Sequence, residues 1–83
     1  MAIFAPFSPT DASLLSELLR DRAPDLLASL QEDDDPPLAD REALQNVLVR
    51  AFTEELDPAT SEPTERGRAI DGLIGRVLLV WPI

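Results

Sequence analysis

The chain has no Cys, His, Lys or Tyr. Without cysteine it has neither a disulfide nor a thiolate site for zinc, and without histidine it lacks the usual imidazole base and metal ligand. The serines at 8, 13, 16, 29 and 61 therefore have no His or Lys to activate them as nucleophiles. No basic residue precedes Arg20, so the charged head of a secretory signal is missing. The longest apolar run, Val77 to Ile83, falls far short of the roughly 20 residues that span a bilayer. These absences point away from an enzyme, a cofactor or a metal centre, and toward a cytoplasmic protein with no membrane role.

What is present is acid. The 83 residues carry 16 Asp and Glu against 7 Arg, a net charge of −9. Nucleic acid and anionic lipid are excluded as partners on this balance, because displacing counterions from phosphate needs a surplus of cations. A basic protein surface is the natural complement. Three bland causes of acidity stand beside that reading: solubility, adaptation to high salt, and a G+C-rich genome that favours Arg over Lys. The acid is unevenly placed. Residues 1–40 hold nine acids against Arg20 and Arg22, a net −7, whereas residues 41–83 hold seven against five Arg, a net −2.

Hydrophobic content of 45% suffices for a globular core, and the length points to one domain over 1–83. A chain this short buries only about 60–65% of its unfolded surface, so self-association is a natural supplement to its stability. Four segments repeat apolar residues at helical spacing. Ser8-Pro9-Thr10-Asp11 reads as a helix start, followed by Ala12, Leu15, Leu18, Leu19 and Arg22 on one face. Pro24 opens a shorter segment with Leu26, Leu27 and Leu30 inward. Asp33 to Pro37 breaks the chain, and Asp40 is the expected cap of a third helix over about 41–56, although Asp35 with Pro36 allows an earlier start. Its apolar stripe is Ala43, Leu44, Val47, Leu48, Ala51, Phe52 and Leu56, with Arg41, Gln45, Arg50 and Glu54 opposite.

The last segment, about 62–81, places Ile70, Leu73, Ile74, Val77, Leu78 and Trp81 at spacings of three and four. Gly67, Gly72 and Gly75 oppose a helix there by about 1 kcal/mol each, and a hairpin turning at Asp71-Gly72 is the rival. The helix is preferred because one period explains every apolar position. The expected architecture is all-α: a small bundle of two shorter N-terminal and two longer C-terminal helices, with an apolar arm at 1–7 and connecting loops at 32–40 and 57–63.

In size, acidity and helix count the chain resembles acyl carrier proteins in outline. That family carries its cofactor on the Ser of an Asp-Ser-Leu at the start of a middle helix. Here the corresponding start reads Leu38-Ala39-Asp40-Arg41-Glu42, and Ser13 lies in Ala12-Ser13-Leu14, too early and without Asp before it. The resemblance implies architecture and no cofactor. Glu32-Asp33-Asp34-Asp35 offers hard oxygen ligands but lacks the Gly and the alternating spacing of a calcium loop. Asp34, Asp35 and Asp40 match an Asp-rich diphosphate–magnesium motif only loosely, since two prolines break the helix it would ride on.

The function expected from sequence is therefore binding. Asp25, Glu32, Asp33, Asp34 and Asp35 are the expected contacts to a basic protein surface, inhibitor-like, as in an immunity protein, an antitoxin or a phage-encoded blocker. The alternative is a homo-oligomeric structural or accessory subunit that associates through the last helix, with Phe4, Phe7, Gly72, Gly75 and Trp81 as contacts. Ile3, Phe4 and Phe7 either fold back as a lid or project as a sticky arm. The glycines, with Ala69, line a smooth stripe that serves packing within the bundle or between copies.

Overall fold

Ser8 starts the first helix as its residue type requires. Its hydroxyl accepts the Asp11 amide at 3.2 Å, Pro9 occupies the first turn, and the Ser8 carbonyl takes the Ala12 amide. The computed structural model describes residues 7–32 and 35–83 and holds four helices: α1 (Pro9–Arg22), α2 (Pro24–Glu32), α3 (Leu38–Glu54) and α4 (Glu65–Val80). Among the described residues there is no strand, only an isolated bridge between Leu56 and Pro63. The protein is a small all-α bundle.

A single residue, Ala23, separates α1 from α2. Pro24 has no amide to extend α1 and its ring clashes with the turn before it, so one helix ends and another begins at a bend. The third helix starts earlier than its strongest apparent cap. Pro37, not Asp40, is the cap position, and its carbonyl takes the amides of Asp40 and Arg41 at 3.0 and 3.1 Å. Asp40 thus lies inside the first turn, where a carboxylate suits the positive helix end. The connector is shorter than 32–40, because α2 runs through Glu32 and α3 begins at Leu38.

The fourth segment is helix, not hairpin. It starts at Glu65 rather than 62, with Thr64 accepting the Gly67 amide at 3.1 Å. The residues before it form a tight turn instead: Ser61 has φ 59°, and Asp57 and Glu62 close the loop through a 2.7 Å backbone hydrogen bond. This turn also ends α3 at Glu54, short of 56.

α3 is the common wall. α1, α2 and α4 all pack on it, α4 most extensively. The core takes Leu15, Leu18 and Leu19 from α1, Leu30 from α2, Leu44, Leu48 and Ala51 from α3, and Ile70, Leu73 and Val77 from α4. Each fully buried leucine contributes about 2 kcal/mol of transfer free energy, offset by lost chain entropy. Two expected core positions differ: Leu78 is 40% exposed, and Leu56 is only half-buried. Arg41 and Gln45 do not lie on an outer face. The Arg41 guanidinium donates to the Pro36 carbonyl at 2.8 Å and the Pro82 carbonyl at 3.0 Å, and Gln45 points at the Ile74 carbonyl across α3 and α4.

Candidate functional site

The acidic candidates separate on inspection. Asp25 lies in the first turn of α2 and Glu32 is its last residue; both are exposed. Seven residues apart, they share one side of the helix about 10 Å from each other. α2 carries no basic residue, and neither Asp25 nor Glu32 has an arginine partner among the described residues. Asp35 is different: it is ion-paired with Arg41, so part of its charge is spent inside the protein. Asp33 and Asp34 lie outside the described residues.

The arginines gather elsewhere. Arg22 of α1 holds Glu54 of α3 with two 2.7 Å hydrogen bonds; this pairing pushes the arginine pKa up and the Glu54 pKa below its ordinary value. Arg66 of α4 reaches Glu17 of α1 at 3.0 Å and Glu55 at 3.8 Å. Arg76 of α4 grips Asp11 of α1 at 2.5 and 2.8 Å, and the Asp11 carboxylate raises the arginine pKa. Three ion pairs thus tie α1 to its neighbours: Arg22–Glu54 joins it to α3, while Arg66–Glu17 and Arg76–Asp11 span the seam between α1 and α4, where helix contacts are sparse.

A cleft of ≈ 390 Å³ opens along that seam, with Leu18, Ala51 and Ile70 beneath and Arg20, Arg22, Arg66, Glu17, Asp21 and Glu55 around it. Its rim holds three positive and three negative side chains, so it presents no net charge to a ligand. Leu18, Ala51 and Ile70 are themselves almost fully buried. Among the described residues every buried side-chain polar atom has a hydrogen-bond partner, and no three acids cluster so as to hold a metal ion. No helix of the described residues is long and apolar enough to cross a membrane.

The residues expected to make oligomer contacts also divide. Phe7 folds back as a lid: it is buried against Trp81 with ring centroids 5.3 Å apart at 75°, the edge-to-face arrangement aromatic pairs prefer. Phe7 and Trp81 are therefore core residues of one copy rather than a presented surface. Phe4 lies outside the described residues. Gly72 and Gly75 do not pack against another helix of the bundle. The Arg76 guanidinium lies over Gly72, and nothing stands within 4 Å of where a Gly75 side chain would be.

Close approach falls instead at Gly67, which the sequence marked only as a helix opponent. A Cβ there would meet Glu55 Cβ at 3.1 Å, Pro63 Cβ at 3.2 Å and the Glu55 carbonyl at 3.3 Å. Asp11 was also missed as a buried group. Its partner is 65 residues away, and nothing local to either residue announces the pair.

Set against protein families, curated proteins and solved structures, the chain matches none of them.

Proposed function

We propose that the protein is a small binding module that docks on a basic protein surface through α2 and the acidic stretch after it, in the manner of an inhibitor that takes the place of phosphates. The observation that carries this reading is the contrast between α2 and the rest of the bundle. Asp25 and Glu32 stand exposed on one side of a helix without a cation, while Arg22, Arg41, Arg66 and Arg76 are engaged with carboxylates elsewhere. Asp33 and Asp34 add two further charges in the sequence immediately beyond. Such a field raises the rate of encounter with a cationic partner more than the final affinity. The reading assigns the protein no catalysis, cofactor or metal, and leaves nucleic acid and membranes outside its partners.

The test is a pull-down from the native cell extract at about 50 mM and about 500 mM salt, where screening of surface charge differs several-fold. The bait is the wild type beside the quadruple variant Asp25→Asn, Glu32→Gln, Asp33→Asn and Asp34→Asn. The reading expects proteins of high isoelectric point that are retained at low salt by the wild type only. Retention of the same proteins by both baits, or at both salt concentrations, defeats it.

A further inference from the structure

One end of the bundle is gathered by a single side chain. Arg41 donates through Nε to the Pro36 carbonyl at 2.8 Å, through Nη1 to the Pro82 carbonyl at 3.0 Å, and through Nη2 to the Asp35 carboxylate. A helical side chain leans toward the N-terminus of its helix, so this guanidinium sits level with Leu38, one turn earlier. It thereby draws the connector after α2 and the residues after α4 to the start of α3. Two apolar side chains surface there: Leu38 is 55% exposed, and Ile83, next to Pro82, is 60% exposed. Acids surround them. Glu42, four residues after Leu38, is exposed and has its Cβ about 6 Å away. Asp35, although paired with Arg41, keeps 87% of its side chain exposed. No free cation offsets these acids. Arg41 is the only basic residue between Arg22 and Arg50, none follows Arg76, and all three nitrogens of the Arg41 guanidinium are engaged.

We infer that this end completes the docking surface, and that its occupant is a cationic amphipathic segment of the partner. The segment sets apolar side chains on Leu38 and Ile83 and places Lys or Arg against Glu42, Asp35 and the acids of α2. The inference rests on the docking reading above and narrows it, from a basic surface to one that is both basic and apolar. Charge selects this occupant. A second copy would bring the same carboxylates to the patch, and anionic lipid would be repelled by them. The apolar pair contributes what the acids alone do not: contact area that salt leaves intact.

Two labelled peptides titrated into the full chain test the inference. One has about 14 residues with Lys and Leu at helical period, and the other carries Ser in place of each Leu. At about 50 mM salt the wild type is expected to bind the Lys/Leu peptide about tenfold tighter than the Lys/Ser peptide, and about 500 mM salt should weaken both complexes. Leu38→Gln with Ile83→Gln should abolish the preference and keep the helical signal, since both side chains are exposed. Leu79→Gln should leave the preference intact, because Leu79, though exposed, lies on the α1 side of α4 beside Phe7 and Asp11. Equal affinity for the two peptides, or a preference that survives the double variant, overturns the inference. If salt still weakens both complexes in that case, the docking reading stands without it. Lys/Leu binding that neither salt nor the quadruple acid variant weakens defeats the docking reading, and this inference with it. A wild type of twice 9.1 kDa that the double variant returns to 9.1 kDa gives the patch to a second copy, and overturns it too.

Discussion

The guanidinium of Arg76 holds the carboxylate of Asp11 through two hydrogen bonds, at 2.5 and 2.8 Å, across 65 residues of sequence. The two partners are not equally placed. Asp11 is 9% exposed at its side chain, whereas Arg76 is 51% exposed. Removing the arginine strands a buried carboxylate, while removing the carboxylate leaves an arginine that water can reach.

Arg76→Gln is therefore expected to cost more stability than Asp11→Asn, about 2 kcal/mol against about 1, the difference being the desolvation of an unpaired acid. Urea unfolding followed by the fluorescence of the single tryptophan, Trp81, measures both. Equal losses would show that Asp11 is hydrated once its partner is gone.

Phe7→Ala removes one ring of the edge-to-face pair with Trp81. The expected cost is about 3 kcal/mol, in the range for a buried aromatic cut to alanine. The emission of folded Trp81 should shift to longer wavelength as water reaches the indole. An unshifted spectrum would mean that another group replaces Phe7.

Gly67→Ala and Gly75→Ala should move stability in opposite directions although both lie in α4. At Gly67 the new methyl meets Glu55 and Pro63, and the Glu55 carbonyl is pinned by the Thr64 amide at 2.9 Å, so the neighbours cannot yield cheaply. A net loss of about 1 kcal/mol is expected after the gain in helix propensity. At Gly75 the methyl enters open space and stabilises by up to about 1 kcal/mol. Thermal melts of dilute protein decide both.

The Arg22–Glu54 pair sets a pH dependence. Pairing lowers the Glu54 pKa from its ordinary 4.5, so its contribution is fully present above that value and is lost as pH falls through the depressed one. Glu54→Gln should be less stable than the wild type at pH 7, and the gap should close under acid. A gap that persists at pH values where Glu54 is protonated would assign the loss to packing rather than charge.

Much of the bundle could be read from residue order, because helix starts and apolar spacing are local. Ser8, Pro9 and Pro24 announced their boundaries, and one period carried Ile70, Leu73, Val77 and Trp81 through three glycines. The start of α3 was misplaced because a good capping side chain, Asp40, outweighed a proline pair whose backbone does the capping. The candidate contacts were less legible. Whether an acid is free or paired depends on what faces it: Asp35 meets Arg41, while Asp25 meets no cation among the described residues. The glycine stripe was visible as a spacing, but which side of α4 it occupied depended on how α4 rolls on α3.

Phe7 on Trp81 and Asp11 on Arg76 join the early part of the chain to its late part. Each contact closes a loop of more than 60 residues, whose entropic cost must be met before the contact returns anything. The hairpin of α3 and α4 is local, and α1 meets α2 and α3 before its fastenings to Arg76 and Trp81 exist. During synthesis the leucines of α1 therefore wait without their final cover, which makes that interval the stage at which a chaperone or a neighbouring copy would find them.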